Sequence, residues 1–201
     1  MALSPIGLSG IRERLLVRRL RERDERAFHE MVRLYQHQVF NLVFRMIGNR
    51  EEAEDVAQEV FVTVFKAIDS FRGESKFSTW LYRIAANQCK NRIKYLGRRS
   101  YQQTGQLEES EALIRQAQPS LLQPHTDGPE QVLEGRQMQR LLEEGIAALD
   151  EDHRAVLVLR DVEELSYQEI AAITALPEGT VKSRIHRARL ALKQHLEKHL
   201  R

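Results

Sequence analysis

The sequence predicts an all-α protein made of two small helical domains joined by a flexible acidic linker, and three observations carry that prediction. Apolar residues recur at three- and four-residue steps over most of the chain, and no segment keeps a two-residue alternation for long. The periodicity lapses once, in the middle, where Gln, Ser, Pro and acids take over. The helical domains are therefore placed at residues 8–97 and 131–198, with the linker at 98–130. A chain of 201 residues, 42% of them hydrophobic and 30% charged, is long enough for one domain or two small ones.

Within the first domain, Phe28, Met31, Val32, Tyr35, Val39, Leu42 and Met46 form one stripe, and Gly48-Asn49 ends it because both tolerate a left-handed cap. A second stripe follows a short turn with Ala53, Val56, Val60, Val64 and Ile68. A third helix is expected to begin at Ser78, whose hydroxyl can cap free amides, and to carry Leu81, Ile84, Ala85, Cys89 and Ile93 inward. The stretch "YQQTGQLEESEALIRQAQPSLLQPHTDGP" buries too little apolar area to offset its ordering entropy, although "LEESEALIRQ" can form a transient helix. Periodicity resumes with Val132, Leu133, Leu141, Leu142, Ile146 and Leu149, then Ala155, Val156, Leu159 and Val162.

Composition removes several function classes. No uninterrupted apolar run approaches the roughly 20 residues that span a bilayer, and "MALSPIGLSGIRERLL" lacks a basic start before a signal-like apolar stretch, so the chain is expected in the cytoplasm and not inserted in a membrane. The single cysteine, Cys89, excludes an intrachain disulfide and a cysteine-cluster zinc site, and its place on an apolar face reads as a small hydrophobe. His195 and His199 are spaced as metal ligands on a helix but have no evident third partner, and no Gly-rich phosphate loop is present. No metal, no cofactor and no enzymatic activity are expected.

Net charge is only +2, but its distribution is uneven. From Arg72 to Arg99 the bases face a single acid, Glu74; from Glu108 to Asp152 acids dominate; from Thr180 onward bases dominate again, with Glu197 the only acid. Two anion-binding faces flank a segment that repels anions.

The C-terminal basic face has a specific form. Ser166-Tyr167-Gln168-Glu169 is a capping box opening a short helix with Ile170, Ala171 and Ile173 inward. That helix stops near Ala175-Leu176, because Pro177 disfavours helical geometry in the residue before it and suits the first turn of a new helix. On the new helix Val181, Ile185, Ala188 and Leu192 share one side, and Lys182, Ser183, His186 and Arg187 the other. This is a helix-turn-helix pattern, with Thr180, Lys182, Ser183, Arg184 and Arg187 suited to guanine edges and phosphates.

The N-terminal basic stretch, "SFRGESKFSTWLYRIAANQCKNRIK", mixes bases with aromatics and asparagines. Phe71, Phe77, Trp80 and Tyr82 cluster around Gly73, and Arg83, Asn87, Lys90, Asn91 and Lys94 form a stripe on the next helix. Aromatics that stack unpaired bases and amides that read base edges fit a surface for opened strands, the alternative being that Phe77 and Trp80 are core residues.

These motifs resemble the extracytoplasmic-function (ECF) group of bacterial RNA polymerase sigma factors, the minimal two-domain branch of the sigma-70 family. "DVAQEVFVTVFKAIDSFRGESKFSTWLYRIAANQCKNRIK" is similar to that family's region two, and "LDEDHRAVLVLRDVEELSYQEIAAITALPEGTVKSRIHRARLAL" to its region four. The resemblance implies that the chain binds core RNA polymerase and directs it to promoters, and that an anti-sigma factor restrains it. It implies that the loop from Phe71 to Ser78 captures a flipped base of the −10 element, with Arg72, Phe77, Trp80, Tyr82, Arg83, Asn87, Lys90 and Asn91 around it. It assigns Thr180, Lys182, Ser183, Arg184, His186 and Arg187 to the −35 duplex, and Asp55, Gln58 and Glu59 to the polymerase. The family often has glycine where "RERDERAF" has Arg23, so a remodelled helix junction is expected there; Asn91 stands where many members carry aspartate. A conventional helix-turn-helix regulator would explain residues 166–192 equally well but leaves residues 70–94 without a purpose. No sustained heptad seam indicates a homo-oligomer.

Overall fold

The structure is a computed structural model and describes residues 10–103 and 129–199. The central part of the expected linker, with its "LEESEALIRQ" segment, lies outside the described residues, as does the extreme N-terminus. Every regular element among the described residues is helical: α1 Gly10–Arg21, α2 Glu25–Ile47, α3 Arg50–Ala67, α4 Phe77–Gln103, α5 Pro129–Ala147, α6 Glu151–Leu157, α7 Tyr167–Thr174 and α8 Glu178–His199. A 3₁₀ turn, Ile68–Ser70, follows α3, and a π turn, Val158–Val162, follows α6.

Helix boundaries follow from local chemistry. The side chain of Asp24 accepts from the Arg26 amide at the start of α2, and Asn49 does the same for Glu52 at the start of α3. Between them Gly48 sits at φ 80°, a left-handed cap whose amide reaches the Phe44 carbonyl. The expected stripes are the observed core: Met31, Tyr35, Val39, Leu42 and Met46 on α2 and Ala53, Val56, Val60 and Val64 on α3 are buried.

Two expectations about the N-terminal helices are corrected. The third helix starts at Phe77 rather than Ser78, and its first amide is satisfied from a distance, by Glu13 Oε1 on α1 at 2.9 Å. The junction at Arg23 keeps the left-handed turn that glycine would favour, with Arg23 at φ 60°. Its guanidinium bonds Asp69 Oδ2 at 2.7 Å and the Phe65 carbonyl, and lies over the Phe65 ring.

The C-terminal helices contribute Ile146, Leu149, Ala155, Val156, Leu159, Ile170, Ile173, Val181, Ile185 and Ala188 to a core continuous with that of the N-terminal helices. Leu142, expected inward, is exposed. The approach of α5 to α8 is close: a Cβ on Gly145 would sit 2.6 Å from Leu192 Cδ1. This second group packs against α2 and α4. Arg154 reaches across to the Met46 carbonyl at 2.8 Å while also bonding the Leu149 carbonyl at 2.9 Å.

Candidate nucleic-acid interface

The helix-turn-helix is built as its residues dictate. Ser166 Oγ accepts from the Glu169 amide and Glu169 Oε2 accepts from the Ser166 amide at 2.9 Å, so the capping box closes in both directions. Against the upward push of partial burial, Lys76 and the Ser166 amide hold the Glu169 carboxyl below its usual range. The turn is made by Ala175 in the left-handed conformation, φ 55°, followed by Pro177. Helix α8 then divides into two sides: Val181, Ile185 and Ala188 are buried, whereas Lys182, Ser183, His186 and Arg187 are exposed.

Two of the expected groove residues are engaged elsewhere. Arg184 is only partly exposed and pairs with Asp152 Oδ2 at 2.9 Å, and Lys182 pairs with Glu178 at 2.7 Å on its own helix. Thr180 is half-buried, and its carbonyl accepts from the Ser183 hydroxyl at 3.0 Å. Arg187 and His186 are the exposed groups at the centre of the polar side.

The N-terminal stretch differs from its expectation in one respect: its aromatics do not stand open for stacking. Phe71, Phe77 and Trp80 are buried and pack edge-to-face or tilted at centroid separations of 5.4 to 5.8 Å, and Tyr82 is buried on the other side of α4. The reason is local: α4 begins at Phe77, so positions 77, 80 and 81 all fall on its inward face. What stays accessible is Arg72 in the loop, with Arg83, Asn87 and Asn91 along α4. The loop turns at Gly73, φ 74°, where a side chain would be strained.

Other members of the expected −10 group face the C-terminal helices. Tyr82 Oη donates to Glu163 Oε2 at 3.2 Å, and Lys90 Nζ lies 3.4 Å from Asp152 Oδ1. Burial pushes the Glu163 carboxyl up, an effect that the Tyr82 hydrogen bond and the charge of Arg45 only partly offset. Burial also pushes the Cys89 thiol up to about 12, which leaves it protonated and unreactive at neutral pH.

On α3, Asp55, Gln58 and Glu59 are exposed on the side opposite buried Val56 and Val60. Glu59 accepts from Arg92 at 2.7 Å, and Arg92 also holds Glu52 at 2.5 Å. Exposed Val62 and Phe65 continue this face toward the end of the helix. The residues missed in the sequence are Glu13, Arg21 and Glu163, each acting on a partner far along the chain. His195 and His199 stack face to face at 4.4 Å, and among the described residues no three of His, Cys, Asp or Glu gather around a common point.

Comparison with known proteins follows the same division. Residues 31–99 match the family Sigma-70 region 2, and residues 139–192 match Sigma-70, region 4. The RNA polymerase sigma-H factor of Pseudomonas aeruginosa is 39% identical over 186 residues, 92% of this chain and 94% of that protein. The ECF RNA polymerase sigma-E factor of Escherichia coli K12 is 39% identical over 180 residues, 90% of this chain and 92% of that protein. In fold, the chain is similar to the sigma factor RpoE of Bartonella quintana, solved with the anti-sigma factor NepR, at a TM-score of 0.66 and 24% identity over 85% of this chain and 96% of that one.

Proposed function

This chain belongs to the ECF group of the sigma-70 family of RNA polymerase sigma factors, and from that membership we propose how its surfaces divide the work of promoter recognition. The C-terminal domain, residues 131–198, lays α8 in the major groove of the −35 element. Arg187, His186, Ser183 and Lys182 reach base edges and phosphates, with Thr180 and Arg184 at the margin. The observation that carries this reading is the split of α8 into a buried aliphatic side and an exposed basic side directly after a capped helix and a tight turn.

The N-terminal domain, residues 8–97, binds core RNA polymerase and the −10 element. The loop after Phe71 receives an unpaired base. Phe71, Phe77 and Trp80 form its rigid floor, Arg72 and Arg83 supply charge, and Asn87 and Asn91 supply amides along α4. Tyr82 and Lys90 join this surface when the C-terminal helices move off α4. Asp55, Gln58 and Glu59 contact the polymerase, a role favoured by the adjoining exposed apolar pair Val62 and Phe65, since protein interfaces combine an apolar centre with a polar rim. The segment 98–130 connects the two domains along the polymerase.

The protein acts in the cytoplasm as a non-enzymatic subunit without a cofactor, and among the described residues no helix is long and apolar enough to cross a membrane. An anti-sigma factor holds it inactive; the similar fold solved with NepR supports that partner class.

The test is transcription from genomic fragments by purified protein with bacterial core polymerase. Initiation at defined positions that requires both components is expected. Tight duplex binding by the free protein, with no core binding and no initiation, would instead identify a conventional regulator.

A further inference from the structure

Helix α1 precedes the region matched to the family, yet it makes the two contacts that fix the loop from Phe71 to Lys76. Glu13 Oε1 accepts from the Phe77 amide at 2.9 Å, so a side chain more than sixty residues upstream caps α4, the task usually done by the residue just before a helix. About two turns further along α1, Arg21 donates to the carbonyl of Phe71 at the other end of the loop. Both ends of the loop are therefore tied to a single rigid helix, itself anchored in the core by Leu16, Val17 and Leu20.

Between α1 and this loop lies a cleft of about 590 Å³. That volume is within the ~300–1,000 Å³ usual for small-ligand sites and suits one nucleotide. Its walls carry Arg14, Arg18 and Arg21 from α1 and Arg72 and Lys76 from the loop, with Val17 and Phe71 as its apolar floor. Glu13 is the one acid among the lining residues, and it is occupied by the Phe77 amide. The bases are not all equally available: Lys76 pairs with Glu169 at 2.9 Å, Arg21 bonds Phe71, and Arg18 lies 3.9 Å from Glu22 across an exposed helix turn. Among the described residues, Arg14 bonds only the carbonyl of Gly10, at 3.0 Å. Arg14 and Arg18 are one helical turn apart, so both point to the same wall.

We propose that α1 is part of the −10 site: Arg14 and Arg18 bind the phosphates flanking one unpaired nucleotide in this cleft, and Glu13 and Arg21 are positioning residues that set the loop receiving its base. The inference rests on the assignment of the 71–76 loop to opened −10 DNA. The division of roles has a physical basis. Guanidinium groups on an exposed helix attract phosphate whatever the base, whereas the loop's conformation decides which base fits.

The test uses the full chain bound to core polymerase, with single-stranded oligonucleotides copied from the nontemplate strand of a mapped start. Affinity is measured by fluorescence anisotropy across a salt series, and −35 duplex binding and core binding serve as controls. Replacing Arg14 and Arg18 together by Ala is expected to weaken every oligonucleotide roughly tenfold whatever its sequence, and to lower the salt slope by about 1.4, since each phosphate contact to a single strand contributes about 0.7. Glu13→Ala is expected to leave that slope alone and to reduce discrimination at the captured base. Glu13→Gln, which keeps an acceptor for the Phe77 amide, should restore discrimination, an outcome that distinguishes loop positioning from a general loss of fold. A wild-type slope in the double variant together with wild-type discrimination in Glu13→Ala would overturn the inference while leaving the −10 assignment standing. Failure of the unaltered holoenzyme to bind the single strand would overturn both.

Discussion

At the scale of single residues, Arg23 shows how a departure from a family pattern is absorbed. An L-residue in the left-handed region carries a cost of roughly 1–2 kcal/mol. Here it is offset by the contacts of its guanidinium with Asp69, the Phe65 carbonyl and the Phe65 ring. Arg23→Ala and Arg23→Gly both remove those contacts, but only the glycine relieves the backbone. The alanine variant should therefore be the less stable of the two by about 1 kcal/mol in urea unfolding, and the reverse order would mean that the turn carries no strain. Arg187, exposed at the centre of the polar side of α8, is the residue we propose for recognition. Arg187→Ala should cost about 1–3 kcal/mol in −35 binding and relax preference at one position, and unchanged discrimination between correct and altered duplexes would remove it from the groove. Inward-facing residues were largely legible in the sequence, because burial follows helical period. Glu13, Arg21 and the partner of Tyr82 were not, because each acts across a sequence distance that local patterns do not encode.

At the scale of elements, caps decide what the sequence could and could not reveal. Gly48 and the Ser166–Glu169 box are local signals, so the end of α2 and the start of α7 were readable in advance. The start of α4 was misplaced by one residue because Ser78 offered a local cap while the real one, Glu13, comes from α1. Helix α1 itself left little trace: its outer positions include exposed Ile11 and Leu15, which blur the apolar stripe made by Leu16, Val17 and Leu20. The capping box also allows a prediction about α7, which is only eight residues long and has few other devices to hold its first turn. Ser166→Ala leaves the Glu169 amide unsatisfied and should lower stability by about 1 kcal/mol. Ser166→Asp, which keeps an acceptor at the cap, should recover most of it. Equal melting curves for Ala and wild type would show that packing of Ile170 and Ile173 alone holds the helix.

At the scale of the whole molecule, the C-terminal helices cover part of the surface assigned to the −10 element: Tyr82 and Lys90 are held by Glu163 and Asp152, and Asp152 also holds Arg184 from the −35 face. Under the proposed assignment, promoter binding by both faces requires this packing to open, and Glu163 is expected to make the packing sensitive to pH. Its carboxyl is pushed up by burial, against the Tyr82 hydrogen bond and the charge of Arg45. A raised carboxyl means that the packed arrangement binds a proton more tightly than the parted one. The stabilisation from Glu163 is thus complete below its ordinary value near 4.5 and is lost as pH rises through the raised one. Asp152 and Glu169, paired with Lys90, Arg184 and Lys76, act on the same contact, so the informative comparison is between variants at one pH. Glu163→Gln keeps an acceptor for the Tyr82 hydroxyl and removes the cost of a buried charge. Energy transfer between labels on α3 and α8 should show the Gln variant more fully packed than wild type at pH 7.5, with the two converging near pH 4.5. Transcription with core polymerase should fall correspondingly in the Gln variant at neutral pH, because opening costs more. Identical transfer at both pH values would mean that Glu163 is solvated in the packed state and that the contact between the two helical groups is set by Arg154 and the ion pairs alone.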